Sequence, residues 1–219
     1  MIRTSPFADP SSRAELRTTA WAVWVPLIVV LVGAVVVTAT TKATMRELTQ
    51  DPTTVLDAPF YIGYVSNLGN VLWAAVVGIC AFAAITLIGA GLEWRRFLLW
   101  SGVFSAVLLA DDLFLLHDEI LPRYAGISGE LYGISYVAAM AAYLVLFRMR
   151  ILRTNYPFLL AALVLFGISV VVDLGSKPLA NILPSNLVIL AEDGSKLLGI
   201  GTWLAYFVSV GRRALRSPA

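Results

Sequence analysis

The chain has 219 residues, of which 59% are hydrophobic and 14% charged, with a formal net charge of +2. A soluble domain carries roughly 25% charged residues, so this composition excludes a soluble globular enzyme and leaves no room for a separate soluble domain. The single cysteine, Cys80, excludes an intrachain disulfide and, inside an apolar run, reads as a small core residue.

Residues 1–20 carry Arg3, Arg13 and Arg17 ahead of an apolar block too long for a cleaved signal peptide, so the block is expected to stay as a first span. Six segments reach the roughly 20 residues of helix that a bilayer requires: 21–41, 70–92, 97–116, 131–147, 157–176 and 188–210. In hydrocarbon only a helix satisfies its own backbone over such runs. The predicted fold is all-α: a polytopic six-span bundle over 21–210, flanked by cytoplasmic segments 1–20 and 211–219. Residues 42–63 form an outer loop with Pro52 and Pro59. Loops of that length are often functional, although the aromatic stretch "APFYIGY" also suits a membrane interface.

Basic residues orient the spans. With the N-terminus in the cytoplasm, Arg3, Arg13, Arg17, Arg95, Arg96, Arg148, Arg150, Arg153, Arg212, Arg213 and Arg216 lie inside. Lys42, Arg46, Arg123, Lys177 and Lys196 lie outside, a division of eleven against five. Both termini then fall in the cytoplasm, and the expected location is the plasma (cytoplasmic) membrane. The same orientation gathers the polar motifs at the extracytoplasmic face. "DDLFLLHDE" ends the third span, "VVVDLGSKP" ends the fifth, "YVSNLGN" opens the second and "AEDGSKLLG" opens the sixth.

Asp111 and Asp112 are placed about one turn inside the outer boundary of the third span, with His117, Asp118 and Glu119 at the boundary itself. If the helix continues through this stretch, Asp111 stacks under Asp118 and Asp112 under Glu119 in two adjacent stripes, and His117 projects elsewhere. Carboxylates are disfavoured at a helix C-terminus, so Lys177, Lys196, Arg123, a metal ion or protons should compensate them. A solvated helix end explains the outermost acids equally well. Ionisable groups inside the membrane, by contrast, are functional candidates by default.

Asp173–Lys177 and Glu192–Lys196 repeat the pattern acid-x-Gly-Ser-Lys, which suits local ion pairs four residues apart. Lys196 lies a turn deeper than Glu192 and could instead neutralise Asp111 or Asp112. Asn67 and Asn70 read first as helix caps and second as amides for a ligand. Gly194, Gly199 and Gly201 suit close helix packing.

The expected chemistry is a membrane-embedded, metal-dependent hydrolase acting on a lipid or lipid-linked substrate. Asp111, Asp112, His117 and Glu192 would hold a divalent metal ion of unknown identity. Glu119 or Asp193 would be the general base, and Lys196 would stabilise developing negative charge. Asn67, Asn70 and Asp173 would bind substrate. One histidine excludes a three-histidine site within one chain. Two alternatives explain the polar layer: a cation or proton channel or transporter, and a non-catalytic membrane subunit or sensor. Membrane lipid and a second copy of the chain are the expected partners; nothing points to nucleic acid.

Overall fold

The computed structural model describes residues 10–87, 92–126, 129–179 and 181–216. The side chains of Asp118 and Lys177, and the ends of the flanking segments 1–20 and 211–219, lie outside the described residues. Every regular element among the described residues is helical, and the architecture is that of a polytopic helical membrane protein. Among the described residues, five helical stretches are long and apolar enough to cross a membrane: Arg17–Thr40, Tyr64–Thr86, Leu92–Phe114, Leu131–Ile151 and Tyr156–Leu174. The chain divides into two compact units, residues 1–62 and 63–219.

In the first unit, α1 (Pro10–Thr40) runs for 31 residues. Its apolar side chains, among them Trp21, Trp24 and Val30, are exposed, as a lipid-facing helix requires. The expected outer loop contains two capped turns. Thr44 and Glu47 form a reciprocal capping box on α2 (Met45–Thr49). Asp51 caps α3 (Pro52–Val55), with Pro52 at a position that needs no amide hydrogen. Hydrogen bonds from the Thr44 amide and hydroxyl hold the Glu47 carboxyl below the usual carboxylate range.

In the second unit, α4 (Tyr64–Thr86) packs along α5 (Leu92–Phe114) and α9 (Ser185–Arg216), and α7 (Tyr156–Leu174) packs along α9. A ten-residue π-helical segment (Leu116–Ala125) leads from α5 towards α6 (Gly129–Ile151), and the short α8 (Ser176–Leu179) follows α7. Gly69 faces Ile200, while Ala83 faces Gly211, so α4 and α9 run parallel. The core holds Trp73, Phe97, Tyr143, Trp203, Tyr206 and Phe207, each at most 5% exposed. Polar groups within it are paired: Ser101 with Tyr143, Thr154 with Tyr206, and the Trp203 indole with Ser105. Cys80 is fully buried, as expected of a small core residue.

The sixth predicted segment, 188–210, lies within α9, a 32-residue helix. Its early turns carry Glu192, Asp193 and Lys196, and it is not among the five stretches apolar enough to cross on composition alone. It buries ten residues against its neighbours. Its composition therefore answers to protein contacts as much as to lipid.

Of the three glycines expected to allow close packing, Gly199 does so most strictly. A Cβ there would lie 2.7 Å from the Phe166 ring, whereas one at Gly201 would meet nothing within 4 Å. Gly199→Ala should therefore cost about 1–3 kcal/mol through overpacking. The check is thermal unfolding in detergent, with Phe166→Leu expected to relieve the loss.

Candidate functional site

The polar residues concentrate where α5 ends and α4 and α9 begin. α5 stops at Phe114 because Leu115 takes a left-handed conformation, with φ 51° and ψ 45°. That conformation costs a non-glycine residue about 1–2 kcal/mol, so neighbouring contacts must hold it. Asp111 supplies them. Its Oδ1 accepts the backbone N–H of His117 at 3.0 Å, and its Oδ2 lies 2.8 Å from His117 Nδ1. The carboxylate thus serves the opening turn of the π-helical segment, where N–H groups lack partners inside the helix and negative charge is welcome.

This break corrects the expected geometry. The two carboxylate stripes assumed one continuous helix, and the left-handed residue folds the chain back so that His117 meets Asp111. Tyr132 extends the cluster by donating to Asp111 Oδ1 at 3.3 Å, and its ring stacks parallel to His117 at 5.9 Å. The Tyr132 and Tyr136 hydroxyls are 2.8 Å apart. Asp111 is 6% exposed, whereas the His117 side chain is 36% exposed. The acid is buried and the imidazole is partly exposed.

Asp112, one residue on, is turned about 100° around α5 and belongs to a second cluster. Lys196 of α9 donates to its Oδ1 at 2.7 Å, and the Trp73 indole of α4 donates to its Oδ2 at 2.9 Å. Trp73 is itself stacked on Phe166 and edge-on to Trp203. The ion pair thereby ties three helices together. Of the two acids Lys196 could have neutralised, it takes Asp112.

The other expected site residues lie on four different elements, the π-helical segment, α4, α7 and α9. Glu119 is exposed and lies 3.7 Å from Arg123. Asp173 is exposed at the end of α7, and Asp193 is exposed on α9. Glu192 is half-buried one turn before Lys196, and it sits within α9, two turns after the helix begins at Ser185. Asn67 and Asn70 do not cap α4, because that helix starts earlier, behind Gly63 in the left-handed conformation. Asn67 is exposed, and the buried Asn70 Oδ1 has no hydrogen-bond partner among the described residues.

Among the described residues, no three of His, Cys, Asp and Glu lie together in a way that could hold a metal ion. Both oxygens of Asp111 and both of Asp112 already accept hydrogen bonds. Three contributors were not foreseen: Trp73, Tyr132 and Tyr136. The i, i+4 spacing of the two tyrosines was a usable signal. Trp73 had none, since an indole in an apolar run reads as core.

Residues 22–210 match a family model described as Domain of unknown function (DUF8692). Neither the curated proteins nor the solved structures contain a match to this chain.

Proposed function

Since the chain belongs to that family, whose description carries no activity, we propose a function from the site alone: a membrane-embedded hydrolase whose general base is His117. In this reading the protein crosses the cytoplasmic membrane six times, keeps both termini inside and acts from the extracytoplasmic side on a lipid or lipid-linked substrate. The observation that carries it is the Asp111–His117 pair, a buried carboxylate bonded to the Nδ1 of a partly exposed imidazole. A carboxylate on Nδ1–H fixes the tautomer and stabilises the imidazolium, so Nε2 becomes the basic nitrogen. His117 takes a proton from water, the water oxygen attacks a carbonyl carbon or phosphorus, and the imidazolium returns the proton to the leaving oxygen. Such positioned acid–base groups contribute about 10²–10⁴-fold in rate.

A second reading has one observation in its favour. The hydroxyls of Tyr136 and Tyr132 lead in a hydrogen-bonded run to Asp111, and the Ser101–Tyr143 pair lies deeper on the same two helices. This arrangement suits proton movement, and the packing of Phe104 and Trp203 against Tyr143 weighs against it.

Purified protein should release product from a mixture of diacyl phospholipids and polyprenyl diphosphates, read by mass spectrometry, and His117→Asn should abolish the release. Metal analysis of the same sample separates water activated by His117 alone from water activated on a bound divalent ion. His117-dependent proton flux in liposomes without product would favour the second reading, and the absence of both would overturn the pair.

Orientation has its own test. Glu119→Cys should react with an impermeant thiol reagent on intact cells, and Arg153→Cys only after permeabilisation, with the buried Cys80 silent in both. The reverse pattern would invert the topology.

A further inference from the structure

We propose that the seam between α4 and α9, at the end opposite the acidic clusters, is a binding site for one acyl chain and the phosphate of an anionic phospholipid. The inference is independent of the hydrolase reading. The groove has a volume of about 300 Å³ and is lined by Gly78, Ile79 and Phe82 of α4 and by Val208, Gly211 and Arg212 of α9. Its depth comes from glycine. A Cβ at Gly78 would meet nothing within 4 Å, so the missing side chain leaves open space, and Gly211 brings α9 against Ile79 and Ala83.

The size decides between occupants. A helix with its side chains is about 10–12 Å across and does not enter a groove this small, whereas a single hydrocarbon chain lies along it. Lipid tails are as apolar as the groove wall, so this part of the site takes any acyl chain. Selectivity must come from Arg212 at its mouth. Arg212 is exposed, and no carboxylate pairs with it among the described residues. Around it, the same end of residues 63–219 carries Arg95, Arg96, Arg148, Arg150, Arg153 and Arg216. Among the described residues of this unit the acid at that end is Glu93, and it pairs with Arg150. The uncompensated charge is therefore positive, and its complement in a bilayer is a lipid phosphate without a balancing amine. Basic sites between spans on the cytoplasmic side recognise such headgroups.

The test uses the full chain in detergent, offered equal amounts of phosphatidylglycerol and phosphatidylcholine with identical acyl chains, and counts retained lipid by native mass spectrometry. Wild type should retain phosphatidylglycerol about fivefold over phosphatidylcholine, the preference that one arginine near a membrane surface supplies. Arg212→Gln should equalise the two lipids, Arg212→Lys should keep most of the preference, and Arg216→Gln, outside the groove lining, should lower it less than Arg212→Gln does. Gly78→Leu should fill the groove and reduce retention of both lipids. If that variant does not fold, Gly78→Met, with its flexible side chain, serves the same purpose. Equal retention of the two lipids by wild type would overturn the proposal. So would a preference that survives both Arg212→Gln and filling of the groove.

Discussion

Lys196→Met should lower the unfolding temperature of the detergent-solubilised protein, with a loss of about 2 kcal/mol. Removing one partner of a fully buried ion pair costs about 3–5 kcal/mol, because the other charge is left uncompensated. Here Asp112 is 13% exposed and Lys196 41%, so water screens part of the loss. The Trp73 indole would remain as a donor to the stranded carboxylate. Combining Lys196→Met with Asp112→Asn should recover most of the stability, since an amide carries no charge and can still accept from Trp73. A single variant that unfolds like wild type would mean that the pair contributes nothing. A double variant worse than the single would mean that Asp112 has partners beyond these two.

Asp111→Asn should have the larger effect on function. The carboxylate accepts the His117 amide, the His117 ring and the Tyr132 hydroxyl. An amide offers one acceptor oxygen in place of two, and its NH₂ group cannot accept from Nδ1–H. Hydrogen bonds to charged groups contribute about 1.5–3 kcal/mol each, comparable to the cost of the left-handed Leu115. Two results are expected together. Hydrogen exchange of the amides at the start of the π-helical segment should quicken, because the contact that holds the break is gone. Turnover, where measurable, should fall by about 10⁴-fold, as when a carboxylate that holds a catalytic imidazole in its tautomer is lost. Quickened exchange with unchanged turnover would reduce Asp111 to a structural cap and remove His117 as the base.

The helical membrane architecture was legible because apolar runs of about 20 residues admit hardly any other solution. Boundaries were harder. The second predicted span, α4, begins at Tyr64 rather than at Asn70, because Gly63 starts it without a polar cap. Local patterns carry such backbone-only caps poorly. Lys196 as a partner for an acid on the third span could be anticipated from its depth. That the acid would be Asp112, with Trp73 completing the pair, could not.

Composition and periodicity by themselves determined that the chain is all-helical, that several helices suit a bilayer, and that most carboxylates of residues 63–219 lie near one end of them. Only the tertiary structure decided that this polar layer divides into two clusters. The reason lies in Leu115. A leucine in the left-handed region leaves no mark on hydrophobic periodicity, and it redirects every side chain after it. It brings His117 to Asp111, and successive positions on α5, about 100° apart, send Asp112 to Lys196 and Trp73. The period of a helix can be read from a sequence. The point at which a helix breaks, when neither proline nor glycine marks it, depends on contacts made from Asp111 and from α6.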